Sequence, residues 1–226
     1  MALSTIEFQT SSSPAFSVIW LHGLGADGND FVPIAQALQL PEGVRFVFPH
    51  APVQPVTLNG GYRMRAWYDL YSLSPGGRED REGISASGAS LVQLIEREAG
   101  RGIPSGHLFL AGFSQGGALA LHAGLRHGAR LAGIIALSTY LPLASALKAE
   151  AHPANAATPV FLAHGDGDEV IPISAGYAVR DLLAPLGHEI DWHRYEMGHS
   201  VCARETADIS AWLTRVISGI RDSETP

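Results

Sequence analysis

Along the chain, apolar residues gather into short runs, and between the runs they recur at helical spacing. Runs at 16–21, 44–48, 107–113, 131–137, 159–163 and 189–195 predict strands, and several are apolar at nearly every position, as strands buried on both faces are. Ile84, Ser87, Leu91, Leu94 and Ile95 form one helical stripe, and Ile209, Trp212, Leu213, Val216, Ile217 and Ile220 form another. A helix start is also expected over 31–38. This alternation predicts an α/β architecture, a mostly parallel central sheet with helices on both faces. The segments 11–13 and 218–226 lack periodicity and read as frayed ends. No internal repeat is visible.

One segment breaks the rhythm. Between 50 and 80 the chain reads HAPVQPVTLNGGYRMRAWYDLYSLSPGGRED. A connection this long inside a compact domain is usually functional or disordered, and its aromatic residues argue against disorder.

Composition narrows the classes. A chain of 226 residues, 46% hydrophobic and 16% charged, is expected to fold as one domain spanning 1–226. The formal charge of −7 offers no electrostatic footprint for nucleic acid or an anionic membrane. No apolar run approaches the ~20 residues that span a bilayer, so stable membrane insertion is not expected. The N-terminal stretch has neither a basic start nor a continuous apolar segment, and Cys202 is the only cysteine, which excludes an internal disulfide. Together these set the expectation of a cytoplasmic protein.

Gly23-x-Gly25-x-x-Gly28 comes just after the first apolar run and matches the glycine fingerprint of dinucleotide sites. Such a site needs an acidic residue at the end of the second strand to grip the ribose. Here that strand ends in Pro49-His50, and Glu42 lies before it. The nucleotide reading therefore fails.

Gly112-Phe113-Ser114-Gln115-Gly116 is a G-x-S-x-G match between a predicted strand and a helix of small residues, the setting of a nucleophile elbow. A serine hydroxyl needs a base, and the base needs an acid to fix its tautomer. After the run 159–163 come Asp166 and Asp168, and either could supply the acid. Among the ten histidines, His199 alone lies beyond both the acid loop and the final strand. A metal site built from His22, His164, Asp166, Asp168 and His199 has no supporting ligand spacing, and Cys202 sits where a small apolar residue suffices.

This set of motifs resembles the phospholipase/carboxylesterase family of α/β-hydrolases, which includes acyl-protein thioesterases and small bacterial carboxylesterases. The likeness runs through nearly the whole chain. It rests on Leu21-His22-Gly23-Leu24-Gly25, Arg65-Ala66-Trp67-Tyr68-Asp69, Gly112-Phe113-Ser114-Gln115-Gly116-Gly117, His164-Gly165-x-x-Asp168 with Val170-Ile171-Pro172, and Gly198-His199. The resemblance implies an α/β-hydrolase fold with Ser114 as nucleophile, Asp168 as acid and His199 as base. It implies the backbone N–H groups of Leu24 and Gln115 as an oxyanion hole. Position also favours Asp168, since it stands farther from the strand end than Asp166, which between two glycines reads as a turn residue bonding its own backbone.

These residues point to a serine esterase that cleaves a small acyl ester or thioester through an acyl-enzyme, without a cofactor or metal. Acyl-protein thioesterase and lysophospholipase activities are the alternatives within enzymes, and an idle hydrolase used for ligand binding is the alternative outside them. The resemblance further suggests that the 50–80 excursion walls an acyl pocket, with Trp67, Tyr68, Leu70 and Leu73 as its substrate-binding residues and Leu58 and Met64 beside them. Simple packing of the excursion onto the sheet is the competing expectation. An exposed apolar excursion could equally form a subunit interface, which leaves homodimerisation open.

Overall fold

In the computed structural model, which describes residues 3–41, 43–72 and 76–224, the elements run in this order: β1 (Thr5–Gln9), β2 (Phe16–Leu21), α1 (Val32–Ala37), β3 (Val44–Pro49), β4 (Val53–Val56), β5 (Tyr62–Arg65), α2 (Arg81–Gly100), β6 (Leu108–Phe113), α3 (Gln115–Arg126), β7 (Gly133–Leu137), α4 (Leu147–Glu150), β8 (Val160–Gly165), α5 (Ile173–Leu183), β9 (Ile190–Tyr195) and α6 (Ala203–Glu224). All six expected strands form, each within a residue or two of its apolar run. Residues 105–107 make a 3₁₀ turn, so β6 starts at Leu108, while β8 runs on to include His164 and Gly165.

The main sheet has seven strands in the order β1-β3-β2-β6-β7-β8-β9, with only β1 antiparallel. Successive residues of β2 show why its run is apolar throughout. Ile19 and Leu21 enter one core, with the buried faces of α2, α3 and α5, and Phe16, Val18 and Trp20 enter the other, with α1 and α6. Both faces of the sheet are thus covered, and a polar side chain in the central strands would cost desolvation.

Two strand features were absent from the sequence expectation. β1 is an edge strand of five residues in which Ile6 and Phe8 pack against the second core. Within the excursion, β4 and β5 pair as a separate antiparallel hairpin. One expectation is corrected: α6 continues to Glu224, so 218–224 is not frayed. The last turns are held because Ile220 packs on the core and the Glu224 carboxylate accepts from His107 Nε2 at 2.8 Å. Among the described residues, no helix is long and apolar enough to cross a membrane.

The register aligns the strand ends. Leu21 pairs with Gly112, Phe113 with Leu137, Leu137 with Ala163, and Gly165 with Tyr195. Every segment that leaves β2, β6, β7, β8 or β9 therefore emerges along one edge, where open parallel sheets place their ligands.

At the opposite end of β2 and β3 a fully buried carboxylate ties α2 to the sheet. Glu98 accepts from Arg45 Nη1 at 2.9 Å, Arg101 Nη1 at 2.9 Å and Ser17 Oγ at 3.1 Å. Removing it strands Arg45, which is itself buried, without an anion. Glu98→Ala is expected to lose about 3–5 kcal/mol of stability, read from urea unfolding, with little change in the native circular dichroism.

Candidate active site

Ser114 joins β6 to α3 with φ 54° and ψ −123°, a conformation that costs a non-glycine residue about 1–3 kcal/mol unless its surroundings enforce it. They do. The Ser114 N–H donates to Leu137 O at 2.9 Å, and Thr139 Oγ1 donates to Ser114 O at 2.6 Å. The glycines allow the backbones to meet: a Cβ on Gly112 would lie 2.3 Å from the Gly116 carbonyl carbon, and one on Gly116 would lie 2.4 Å from Leu21 O. The start of α3 thus sits directly on β2 and β6.

Gln115 opens α3, where a backbone N–H has no acceptor within the helix. Its side chain is occupied below: Trp67 N–H donates to Oε1 at 2.9 Å, and Nε2 donates to Tyr68 O at 2.8 Å. Trp67 Nε1 in turn donates to His22 O at 2.9 Å, and Gly25 N–H donates to Arg65 O at 2.8 Å. These bonds fasten the 50–80 excursion to both the elbow and the 22–25 loop. Gly23 brings that loop to Ser114, since a Cβ there would lie 3.5 Å from Ser114 Cβ. Leu24, the next residue, is half-buried.

His22 is buried beneath the loop and holds a single tautomer. Its Nδ1 donates to Gly23 O at 2.7 Å, and its Nε2 accepts from Ala51 N–H at 3.1 Å. A second ring proton would face the Ala51 donor, and burial pushes the imidazole pKa down to about 4.

Asp168 leaves the end of β8 and is 6% exposed. Its Oδ1 accepts from the N–H groups of Val170 at 2.9 Å and Ile171 at 2.8 Å, and its Oδ2 lies 2.7 Å from His199 Nδ1. An ionised carboxylate only accepts, so Nδ1 carries the proton and Nε2 is left as the basic nitrogen. The His199 ring lies 4.6 Å from that of Phe113, the residue before Ser114. Gly165 permits the two loops to approach, because a Cβ on it would lie 2.4 Å from Gly198 O. Asp166 N–H to Tyr195 O at 2.8 Å and Gly167 N–H to Met197 O at 3.0 Å continue the β8–β9 ladder into these loops.

Ser114, Asp168 and His199 are therefore brought to one edge, with Leu24 on the 22–25 loop and Gln115 at the start of α3. Asp166 turns away: its carboxylate accepts from Arg194 Nε at 2.7 Å rather than from its own backbone. Trp67 and Tyr68 are 2% exposed, and the Tyr68 hydroxyl meets that of Tyr140 at 2.8 Å. Leu70 and Met64 are half-buried and Leu58 is exposed, while Leu73 lies outside the described residues. Thr139, which braces the elbow, carried no signal in the sequence. The Gly23–Gly28 stretch does not open a helix; α1 begins only at Val32, and Gly28 lies against the β3 backbone, where a Cβ would be 2.7 Å from Phe48 O.

The family model for phospholipase/carboxylesterase matches residues 5–217. Acyl-protein thioesterase 1 of Neurospora crassa is 39% identical over 218 residues, 91% of this chain and 89% of that protein. Among solved structures, acyl-protein thioesterase 2 of Zea mays aligns with a TM-score of 0.85 at 31% identity, covering 95% of this chain and 99% of its own. SOBER1 of Arabidopsis thaliana aligns with a TM-score of 0.85 at 30% identity, covering 89% and 99%.

The buried neutral His22 makes stability pH-dependent. Its folded pKa of about 4 lies below the unfolded value of 6.5, so the unfolded chain binds the proton first. Its contribution of about 3 kcal/mol is complete above the unfolded pKa and drains away as pH falls from there toward the folded one. In urea titrations at about pH 7 and about pH 4.5, His22→Asn should lose less stability on acidification than the wild type. Equal losses in the two proteins would exclude His22 as a source of the acid sensitivity.

Proposed function

The chain belongs to the phospholipase/carboxylesterase family, and from that premise we propose that Ser114 is its nucleophile, His199 its general base and Asp168 the acid that orients the base. It is an α/β-hydrolase, an enzyme acting on carboxylic esters or thioesters. The observation that carries the residue assignment is the 2.7 Å bond from His199 Nδ1 to Asp168 beside a serine held at φ 54° on a strand-to-helix elbow.

In this reading His199 Nε2 removes the Ser114 proton as Oγ adds to the acyl carbon. The negative charge that forms on the acyl oxygen is met by the N–H groups of Leu24, on the 22–25 loop, and Gln115, at the start of α3. His199 then gives its proton to the departing alkoxide or thiolate, leaving Ser114 acylated. Water enters, His199 takes its proton, and the same sequence releases the carboxylic acid and restores Ser114. The relatives named acyl-protein thioesterase favour S-acylated substrates as a second reading. The single cysteine supports a cytoplasmic location for the enzyme.

Leu70 on the excursion, half-buried and bonded through its carbonyl to Leu58 N–H at 2.7 Å, is assigned to the acyl wall. Trp67 and Tyr68 serve that wall from beneath, through the bonds that fix Gln115 and His22.

Ser114→Ala should fold normally, lose about four orders of magnitude in kcat and refuse a fluorophosphonate adduct. Asp168→Asn should lose turnover by about 10⁴, whereas Asp166→Asn, losing a solvent-exposed pair with Arg194, should stay within a few-fold. A collapse in Asp166→Asn with Asp168→Asn near normal would reverse the acid assignment.

Across a series of p-nitrophenyl esters and matched thioesters, kcat/KM should rise roughly three- to fourfold per methylene until the pocket is full. Leu70→Ala should flatten that rise. An unchanged profile would remove Leu70 from the acyl wall.

A further inference from the structure

We infer that His164 is a positioning residue for the acid, a second histidine whose one ring proton holds the Asp168 loop against His199. The inference rests on the reading of Asp168 as the orienting acid.

His164 is the penultimate residue of β8 and is fully buried. Its Nε2 lies 2.7 Å from Ile171 O, which can only accept, so Nε2 must carry the proton. The same nitrogen lies 3.5 Å from Asp168 Oδ2, the oxygen that binds His199. Ile171 meanwhile donates its own N–H to Asp168 Oδ1 at 2.8 Å. The residue that fixes one oxygen of the acid is thus anchored, through its carbonyl, by the histidine that approaches the other.

The opposite nitrogen explains why the ring keeps one protonation state. His164 Nδ1 is buried without a protein partner and faces α5, where a Cβ on Gly176 would come within 2.8 Å of it. A proton on Nδ1 would be an unsatisfied donor pressed against that helix. Burial also pushes the imidazole pKa below its ordinary value, although the Ile171 carbonyl and the Asp168 charge pull the other way. The ring stays neutral, donates only toward the acid loop, and neither meets substrate nor exchanges protons in the reaction.

Position on the ring separates this role from packing. In Gln the amide nitrogen reaches about as far as Nε2, whereas in Asn it stops near Nδ1. His164→Leu is expected to lower kcat by about 10- to 100-fold with KM little changed, as loss of an outer orienting bond does. His164→Gln should recover most of that loss, and His164→Asn should not. The three variants are compared with wild type for kcat, KM and melting temperature, with Asp168→Asn as a parallel control. The inference is overturned if His164→Leu keeps kcat within about twofold of wild type, or if Asn restores kcat as well as Gln does. Should His164→Leu fail to fold, the ranking of Gln above Asn still decides. Near-normal turnover in Asp168→Asn would instead overturn the acid assignment itself, whatever the His164 variants do.

Discussion

The structure depends on a contact in which no side chain takes part. The first turn of α3 rests on the ends of β2 and β6 at distances that any Cβ on Gly112 or Gly116 would violate. That approach forces the chain to reverse at one residue, and the reversal forces Ser114 into a conformation it would not choose. Leu137 and Thr139, from the neighbouring strand and its exit, hold the distorted residue by its N–H and C=O. The strained serine is thus a consequence of helix packing, and the hydroxyl is presented at the sheet edge because the backbone has nowhere else to go.

From there order spreads outward through bonds of unequal kind. The excursion is tied to the elbow by polar groups: Gln115 grips the backbone of Trp67 and Tyr68, and Trp67 grips the His22 carbonyl. The loops that carry Asp168 and His199 are joined by backbone ladder bonds that outlast the strands they extend. The first arrangement makes Trp67 a support of the 22–25 loop and Tyr68 a support of the elbow rather than open surface. The second sets the separation of Asp168 and His199 by sheet register, which side-chain freedom alone could not do.

The parts legible in the sequence were those in which one physical demand dominates a run of residues. Strands buried on both faces must be apolar throughout, so β2, β3, β6, β7, β8 and β9 announced themselves. Close backbone approach demands glycine, so the elbow was visible in Gly112 and Gly116. β1 was missed because an edge strand with one buried face needs only Ile6 and Phe8, too few for a period to register. The hairpin was missed because its residues are largely polar or exposed. Asp166 was read as a turn residue bonding its own backbone, but its partner, Arg194, comes from the neighbouring strand and leaves no local trace. Thr139 was silent for the same reason: it bonds across strands, to the Ser114 carbonyl.

The laddered loops and the hairpin also differ in how much change they tolerate over generations. An extra residue in 165–168 or 195–199 would shift one loop along the other and carry Asp168 and His199 out of register together. At the hairpin tip, Gly60 and Gly61 have nothing within 4 Å of an added Cβ, so although their positive φ favours glycine in the present turn, there is open space for a longer one. Change at this turn leaves the ladder between the 165–168 and 195–199 loops in place. Descendants of such a scaffold can therefore remodel this turn while inheriting the spacing of Asp168 and His199 intact.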